Sequence, residues 1–295
     1  MNAPDRQKRL AGRYGLVDGI PFEMPINSEQ SPALMAMFSI DADAAARLLP
    51  GGEVHPFRLW TRGLLVVTVI HYKITDIGSY IEYSIAIACT HGSRPAPRLL
   101  PAMMMKTFGT GQYVLDLPVS TEVSVKGGKG IWGMPKHQAS LDFVIGDRWV
   151  SSQYDLDNQM LMRLDVAKPG TAWLPINMGA ANYCAFRGML MKSFIYFKGR
   201  LGLRIFDARG ARLLIGDHPR MAPLRTLDIR PEPIAAGFFP STQGVLDDHF
   251  ECWFITEPAQ RMAPMQGLES TFPLGQSQAW LPAPARALDW ESTRA

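Results

Sequence analysis

Cysteine is scarce in this chain. Only Cys89, Cys184 and Cys252 occur in 295 residues, an odd number of widely separated thiols in apolar company, so no disulfide framework is expected and they read as reduced small hydrophobes. No apolar run reaches the roughly twenty residues of a membrane span. The amino-terminal residues 1–9 carry charges with no hydrophobic segment behind them, so no secretory leader is expected. Charge of one sign is also lacking: 30 basic against 27 acidic residues leave a net +3. The basic residues are scattered singly, which argues against nucleic acid as a partner. Six histidines include no pair at short metal-ligand spacing, so no metal is expected, although distant residues can meet in space. Gly127-Gly128-Lys129-Gly130 lacks the Gly-x4-Gly-Lys-Ser/Thr spacing that aims amides at a phosphate. A Gly-x-Ser-x-Gly elbow is absent, leaving a serine-hydrolase reading without an anchor. The expectation is a soluble cytoplasmic protein with neither a membrane nor a nucleic-acid partner.

What the chain does have is apolar content, 47% of its residues, enough for a large core in one big domain or two small ones. Residues 1–20 read as a flexible arm, 21–257 as a single domain, and 258–295, rich in proline, glutamine and alanine, as a tail or oligomer strap. One early helix is expected where Asp41 can cap residues 42–49, stopped by Pro50 and Gly51. Strands dominate the rest. Residues 57–74 are rich in branched and aromatic side chains, and 80–87 alternate strictly, with Ile81, Tyr83, Ile85 and Ile87 on one face and Glu82, Ser84 and Ala86 on the other. Further strands are expected at 139–145, 149–156, 160–166, 190–197, 201–207 and 211–215. Spacings this short leave no room for helical crossovers, so the sheet should be mainly antiparallel and closed or folded over. Met103, Met104 and Met105 read first as core filling, though they could line a pocket.

Lys136 stands out, in Gly128-Lys129-Gly130-Ile131-Trp132-Gly133-Met134-Pro135-Lys136-His137. Ser120 or Thr121 could cap a helical turn to Lys126, after which the glycines loosen the chain and place Lys136 on a loop. Desolvation can lower a lysine's ordinary value of about 10.4 by several units and free its lone pair, and a neutral amine can form a Schiff base with a ketone. The alternative is an ordinary solvated loop lysine.

Three segments in order resemble the acetoacetate decarboxylase family. The family signature has a Gly-Arg-Glu-like opening, an apolar stretch and Pro-Lys-Lys, and Lys136 falls where the first lysine forms the Schiff base. The family's Tyr-x-Glu strand is matched by Tyr80-Ile81-Glu82, and its histidine turn by His218-Pro219-Arg220-Met221-Ala222-Pro223-Leu224. The resemblance implies a mainly β (α+β) fold, an antiparallel sheet plus a cone-like closed β-barrel with few short helices, assembled as a homo-oligomer without a cofactor. It implies catalytic roles for Lys136 and Glu82 on a small-molecule keto acid. Ser84 and Ala86 would leave room for a ligand beside Glu82, Trp132 and Met134 would be dry walls or ordinary core, and Glu82 without the resemblance would read as a solvent-facing strand residue. The second lysine of the family pair is His137, which with Ser84 would also line the pocket. Lysine activation by desolvation or an adjacent cation is the established case of acetoacetate decarboxylase itself. Histidine is mostly neutral at pH 7, so here burial would supply most of the shift. A family arginine falls near Ser31 and a family glutamate near Val66, implying a less charged site and a bulkier or more apolar substrate than acetoacetate. The implied reaction is decarboxylation of a 3-oxo acid. A pyruvate-type aldolase or dehydratase using the same lysine, and a non-catalytic apolar-ligand binder, remain open alternatives.

Overall fold

Alternating apolar side chains and tight turns build an almost entirely β architecture in the computed structural model, which describes residues 12–169, 173–255 and 270–286. Strands β1 (Arg13–Val17) and β2 (Ile20–Met24) pair as a hairpin. The compact part therefore begins before residue 21, because Asp18 and Gly19 both take positive φ and turn the chain back. Residues 1–11 of the expected arm lie outside the described residues. Strand β3 (Ile26–Ile40) leads to α1 (Ala42–Ala46), where the Asp41 carboxylate accepts the Ala44 N–H at 2.6 Å, the expected cap. There follow β4 (Val54–Pro56), β5 (Gly63–Tyr72), β6 (Ile74–Thr75), β7 (Tyr80–His91), α2 (Leu100–Met103), β8 (Gly111–Val119), α3 (Glu122–Trp132) and β9 (Lys136–Gln138). The remainder comprises β10 (Ser140–Leu141), β11 (Val144–Ile145), β12 (Trp149–Leu156), β13 (Gln159–Ala167), β14 (Trp173–Phe186), β15 (Met189–Ile205), β16 (Ala211–Ile215), a 3-10 turn (Pro219–Met221), α4 (Ala222–Arg225) and β17 (Pro233–Phe254).

Strands β7, β5, β3, β17, β15, β14 and β8 are hydrogen-bonded in that order, and β8 returns to β7, which closes a seven-stranded barrel. Neighbours are antiparallel except β14 with β8, and β9 joins β8 in parallel. A second sheet runs β10, β12, β13, β16, with β11 on β12. The face of β7 carrying Ile81, Tyr83, Ile85 and Ile87 packs in the main core with Val150, Tyr154 and Leu164 of that sheet. Each such buried isoleucine contributes about 1.5–3 kcal/mol of transfer free energy. The opposite face, with Glu82, Ser84 and Ala86, is left for other cover, so the alternation is as expected. The fold class is likewise as expected: mainly β, a closed barrel plus an antiparallel sheet, with four short α-helices among the described residues.

Two corrections stand beside this agreement. The methionine run is surface, with Met103 84% exposed, rather than core. Helix α3 does not end at Lys126 but runs through three glycines to Trp132. Of the segment expected as a tail or oligomer strap, residues 270–286 lie bonded along this chain's own domain, from Val123 N–H to Ser277 O (3.1 Å) to Arg286 on Asp142 (2.7 Å); residues 256–269 and 287–295, and with them the boundary at 257, lie outside the described residues. Among those described, no helix is long and apolar enough to cross a membrane.

Candidate active site

The lysine is placed by the way α3 ends. Gly133 takes φ +65°, a left-handed cap that glycine adopts without Cβ strain, and the Met134 N–H returns to Gly128 O at 3.1 Å. That reversal folds Pro135 and Lys136 back along the helix. Lys136 is then held on strand β9, paired with Leu117 of β8, and not on a loop. A Cβ added at Gly128 would overlap Lys136 Cδ, so the glycine, a poor helix former by about 1 kcal/mol, is retained for this close approach. Gly128→Ala should therefore leave the melting temperature near wild type while slowing imine formation at Lys136 on the order of 10²-fold, the scale for a displaced reacting group. Circular dichroism melts and timed borohydride trapping check the two halves.

Glu82 arrives from β7, whose pairing puts it opposite Val119 of β8 and Ile70 of β5. Lys136 Nζ lies 2.7 Å from Glu82 Oε2 and donates to Ser124 Oγ at 3.1 Å. The lysine side chain is 6% exposed and the glutamate 16%, so the pair is removed from bulk water, where charge-assisted bonds are strong. The Tyr80 ring lies 5.5 Å from the amine, and Tyr72 stacks on Tyr80 at 4.7 Å with its hydroxyl 3.5 Å from Glu82 Oε1. Burial first, and the Glu82 charge second, hold both phenols well above their usual range, so they stay O–H groups. The amine thus faces one carboxylate, one hydroxyl and an aromatic wall.

Trp132 and Met134 are buried in one cluster with Ala86, Leu117 and Cys184, which makes them apolar packing around the lysine's two supporting strands. Ser84 sits half-buried on the Glu82 face, opposite Thr68, and bonds to neither Glu82 nor Lys136. Val66 lies opposite Ala86 on that face and Ser31 is fully buried, so both positions expected to have lost charge are apolar or small here. Buried Cys89 and Cys184 have thiols raised by desolvation, Cys184 to about 12, which makes them inert as nucleophiles. Among the described residues no three metal-ligating side chains converge.

His137 is not with the lysine. Consecutive strand residues point to opposite faces, and His137 closes a hydrogen-bonded ring on the far side of β9. Arg220 grips Asp116 through Nε (3.0 Å) and a terminal nitrogen (2.8 Å), and the latter also reaches His137 Nδ1 at 3.1 Å. Arginine can only donate, so Nδ1 accepts, Nε2–H donates to Tyr154 Oη at 2.9 Å, and the Tyr154 hydroxyl donates to Asp116 Oδ2 at 3.1 Å. The ring fits only the neutral imidazole. Burial lowers the His137 pKa from 6.5 to about 4, Asp116 opposing and Arg220 and Lys129 reinforcing. A histidine with a depressed folded value stabilises the fold above the unfolded value and loses that contribution as pH falls toward the folded one. The unfolding free energy from denaturant titrations should accordingly drop between pH 6.5 and 4, by up to about 3 kcal/mol, and His137→Gln should flatten that slope.

Ser124, Tyr72, Asp116, Tyr154 and Arg220 were not singled out from the sequence. Tyr80 and Arg220 were within reach, since one lies two residues from Glu82 on its face and the other inside the His218–Leu224 segment; Ser124, Tyr72, Asp116 and Tyr154 meet the site only through long-range pairing.

Residues 16–184 match the family model described as acetoacetate decarboxylase (ADC). The fold is similar to that of an acetoacetate decarboxylase structure at 15% identity and TM-score 0.57, covering 87% of this chain and 99% of the other. The acetoacetate decarboxylase from Legionella pneumophila superposes at 12% identity and TM-score 0.54, with 79% and 86% covered. The enduracididine biosynthesis enzyme MppR complexed with pyruvate does so at 16% identity and TM-score 0.56, with 79% and 91% covered. No curated protein matches. With more than half its length matched by the family model, the chain belongs to the acetoacetate decarboxylase family.

Proposed function

We propose that this protein decarboxylates a 3-oxo acid, acetoacetate or a larger and more apolar analogue, through a Schiff base on Lys136. The supporting observation is the 2.7 Å approach of Glu82 to the buried Lys136 amine. The nitrogen must shed a proton to attack, and Glu82 is within reach to take it. Attack on the ketone gives a carbinolamine, whose hydroxyl leaves as water with a proton from Glu82, forming the iminium. The carbon–carbon bond to the carboxylate then breaks, carbon dioxide departs, and the electron pair flows into the iminium to give an enamine. Protonation at carbon and hydrolysis release the ketone and restore the amine. Ser124 holds the amine's direction, and the Tyr80 and Tyr72 rings keep water from the intermediates.

Likeness to MppR complexed with pyruvate favours a second reading in which a 2-oxo acid forms the same iminium. It cannot lose carbon dioxide by that route; its methyl proton leaves instead, and the enamine attacks an aldehyde. Carbon dioxide release from a series of 3-oxo acids, with pyruvate plus aldehydes in parallel, separates the two. Decarboxylation that improves with acyl length supports the proposal, and condensation of pyruvate without carbon dioxide release contradicts it.

A further inference from the structure

We propose that the strap, residues 270–286, forms one wall of the Lys136 site and that Leu274 sets how long a substrate tail the site accepts; this rests on the Schiff-base reading above. Leu274 packs against the cluster of Tyr72, Tyr80, Val119 and Val125. Tyr80 lies beneath the Lys136 amine, Tyr72 beside Glu82, and Val119 opposite Glu82 in the β7–β8 register. The same wall therefore touches the reacting pair and the strap.

The strap is pinned from both elements that position the lysine. From α3, buried Lys126 donates to Leu274 O at 2.6 Å and pairs with Asp18 at 3.1 Å, while Thr271 Oγ1 donates to the same Asp18 oxygen at 2.9 Å. From β9, Gln138, two residues beyond Lys136, donates to Ala279 O at 3.0 Å. Trp280 adds a bond to Ser79 O, just before Tyr80. A segment fixed by a buried ammonium and several directional bonds holds Leu274 as a rigid boundary, and an apolar boundary discriminates by size about 10- to 200-fold per methylene. The substrate class that fits is a keto acid whose apolar tail lies along the tyrosines and ends at Leu274.

Borohydride trapping on Lys136, read by peptide mass spectrometry, tests this with acetone against 2-octanone, and with acetaldehyde against octanal. The ketones report Schiff-base competence. The aldehydes condense with any reachable free amine and so report reach alone. Leu274→Ala is expected to raise the long-to-short adduct ratio about tenfold or more, Leu274→Val to give an intermediate ratio, and Phe272→Ala, exposed on the same strap, to leave it unchanged. Ketone silence with a shifted aldehyde ratio would sink the Schiff-base reading yet keep the wall. An unchanged aldehyde ratio in Leu274→Ala would overturn the wall whatever the ketones do.

Discussion

Replacing Lys136 with methionine is expected to abolish turnover of 3-oxo acids, a loss on the order of 10⁵-fold or more, the scale for deletion of a covalent nucleophile. Methionine keeps an unbranched apolar stem of similar length, so the packing beside Gly128 should survive, while the stranded Glu82 carboxylate lowers the melting temperature. Glu82, left without its ion-pair partner, would then sit half-buried beside the Tyr72 hydroxyl, which donates to it without supplying a counter-charge. Glu82→Gln should also slow the reaction, by less, because it removes the proton acceptor and leaves the nucleophile. Steady-state kinetics on both variants, with apolar ligand binding followed in parallel, give the comparison. Retained turnover in Lys136→Met would remove the lysine from the chemistry. Full ligand binding without any wild-type turnover would instead favour a binding protein.

The largest stability loss is expected at Asp116. Its side chain and that of Arg220 are 8% and 12% exposed, and Asp116 also receives the Tyr154 hydroxyl. Asp116→Ala leaves a guanidinium buried without its counter-charge, which costs about 3–5 kcal/mol. The double variant Asp116→Leu with Arg220→Met replaces both charges by apolar groups and should recover a large part of that loss, since a paired deletion avoids the stranded ion. Urea denaturation of the single and double variants measures this. Asp116 neighbours Leu117, the residue that pairs with Lys136, so imine formation should slow in the single variant even below its melting temperature. A change under about 1 kcal/mol in Asp116→Ala would mean that the ring does not hold β9 in place.

Local pattern made part of this molecule legible. Strict alternation over 80–87 set the two faces of β7 correctly, because a period of two maps directly onto a half-buried strand. Strands β12 and β16 fell at their expected bounds for the same reason. Strands β3, β14 and β17 gave no such signal: they carry Pro32, Pro175, Pro240 and several glycines and alanines, residues that do not favour strands, and they are held by pairing with distant neighbours. The three glycines of α3 argue locally against a helix beyond Lys126, whereas Gly128 admits Lys136. At the site, Lys136 stands out from its own setting and Glu82 comes from the family resemblance; their side chains lie 2.7 Å apart. The resemblance implies that His137 lines the pocket, but β9 is a strand and turns it to the opposite face. Its partners Asp116, Tyr154 and Arg220 are separated from it by up to 83 residues, a distance no local window spans.

The most direct test of the central claim is mass spectrometry of the intact protein and its peptides after borohydride reduction with acetoacetate. A reduced adduct on Lys136 that has lost the carboxyl group is the predicted result. An adduct on Lys136 that keeps the carboxyl group, or one confined to other lysines, would contradict decarboxylation through this residue.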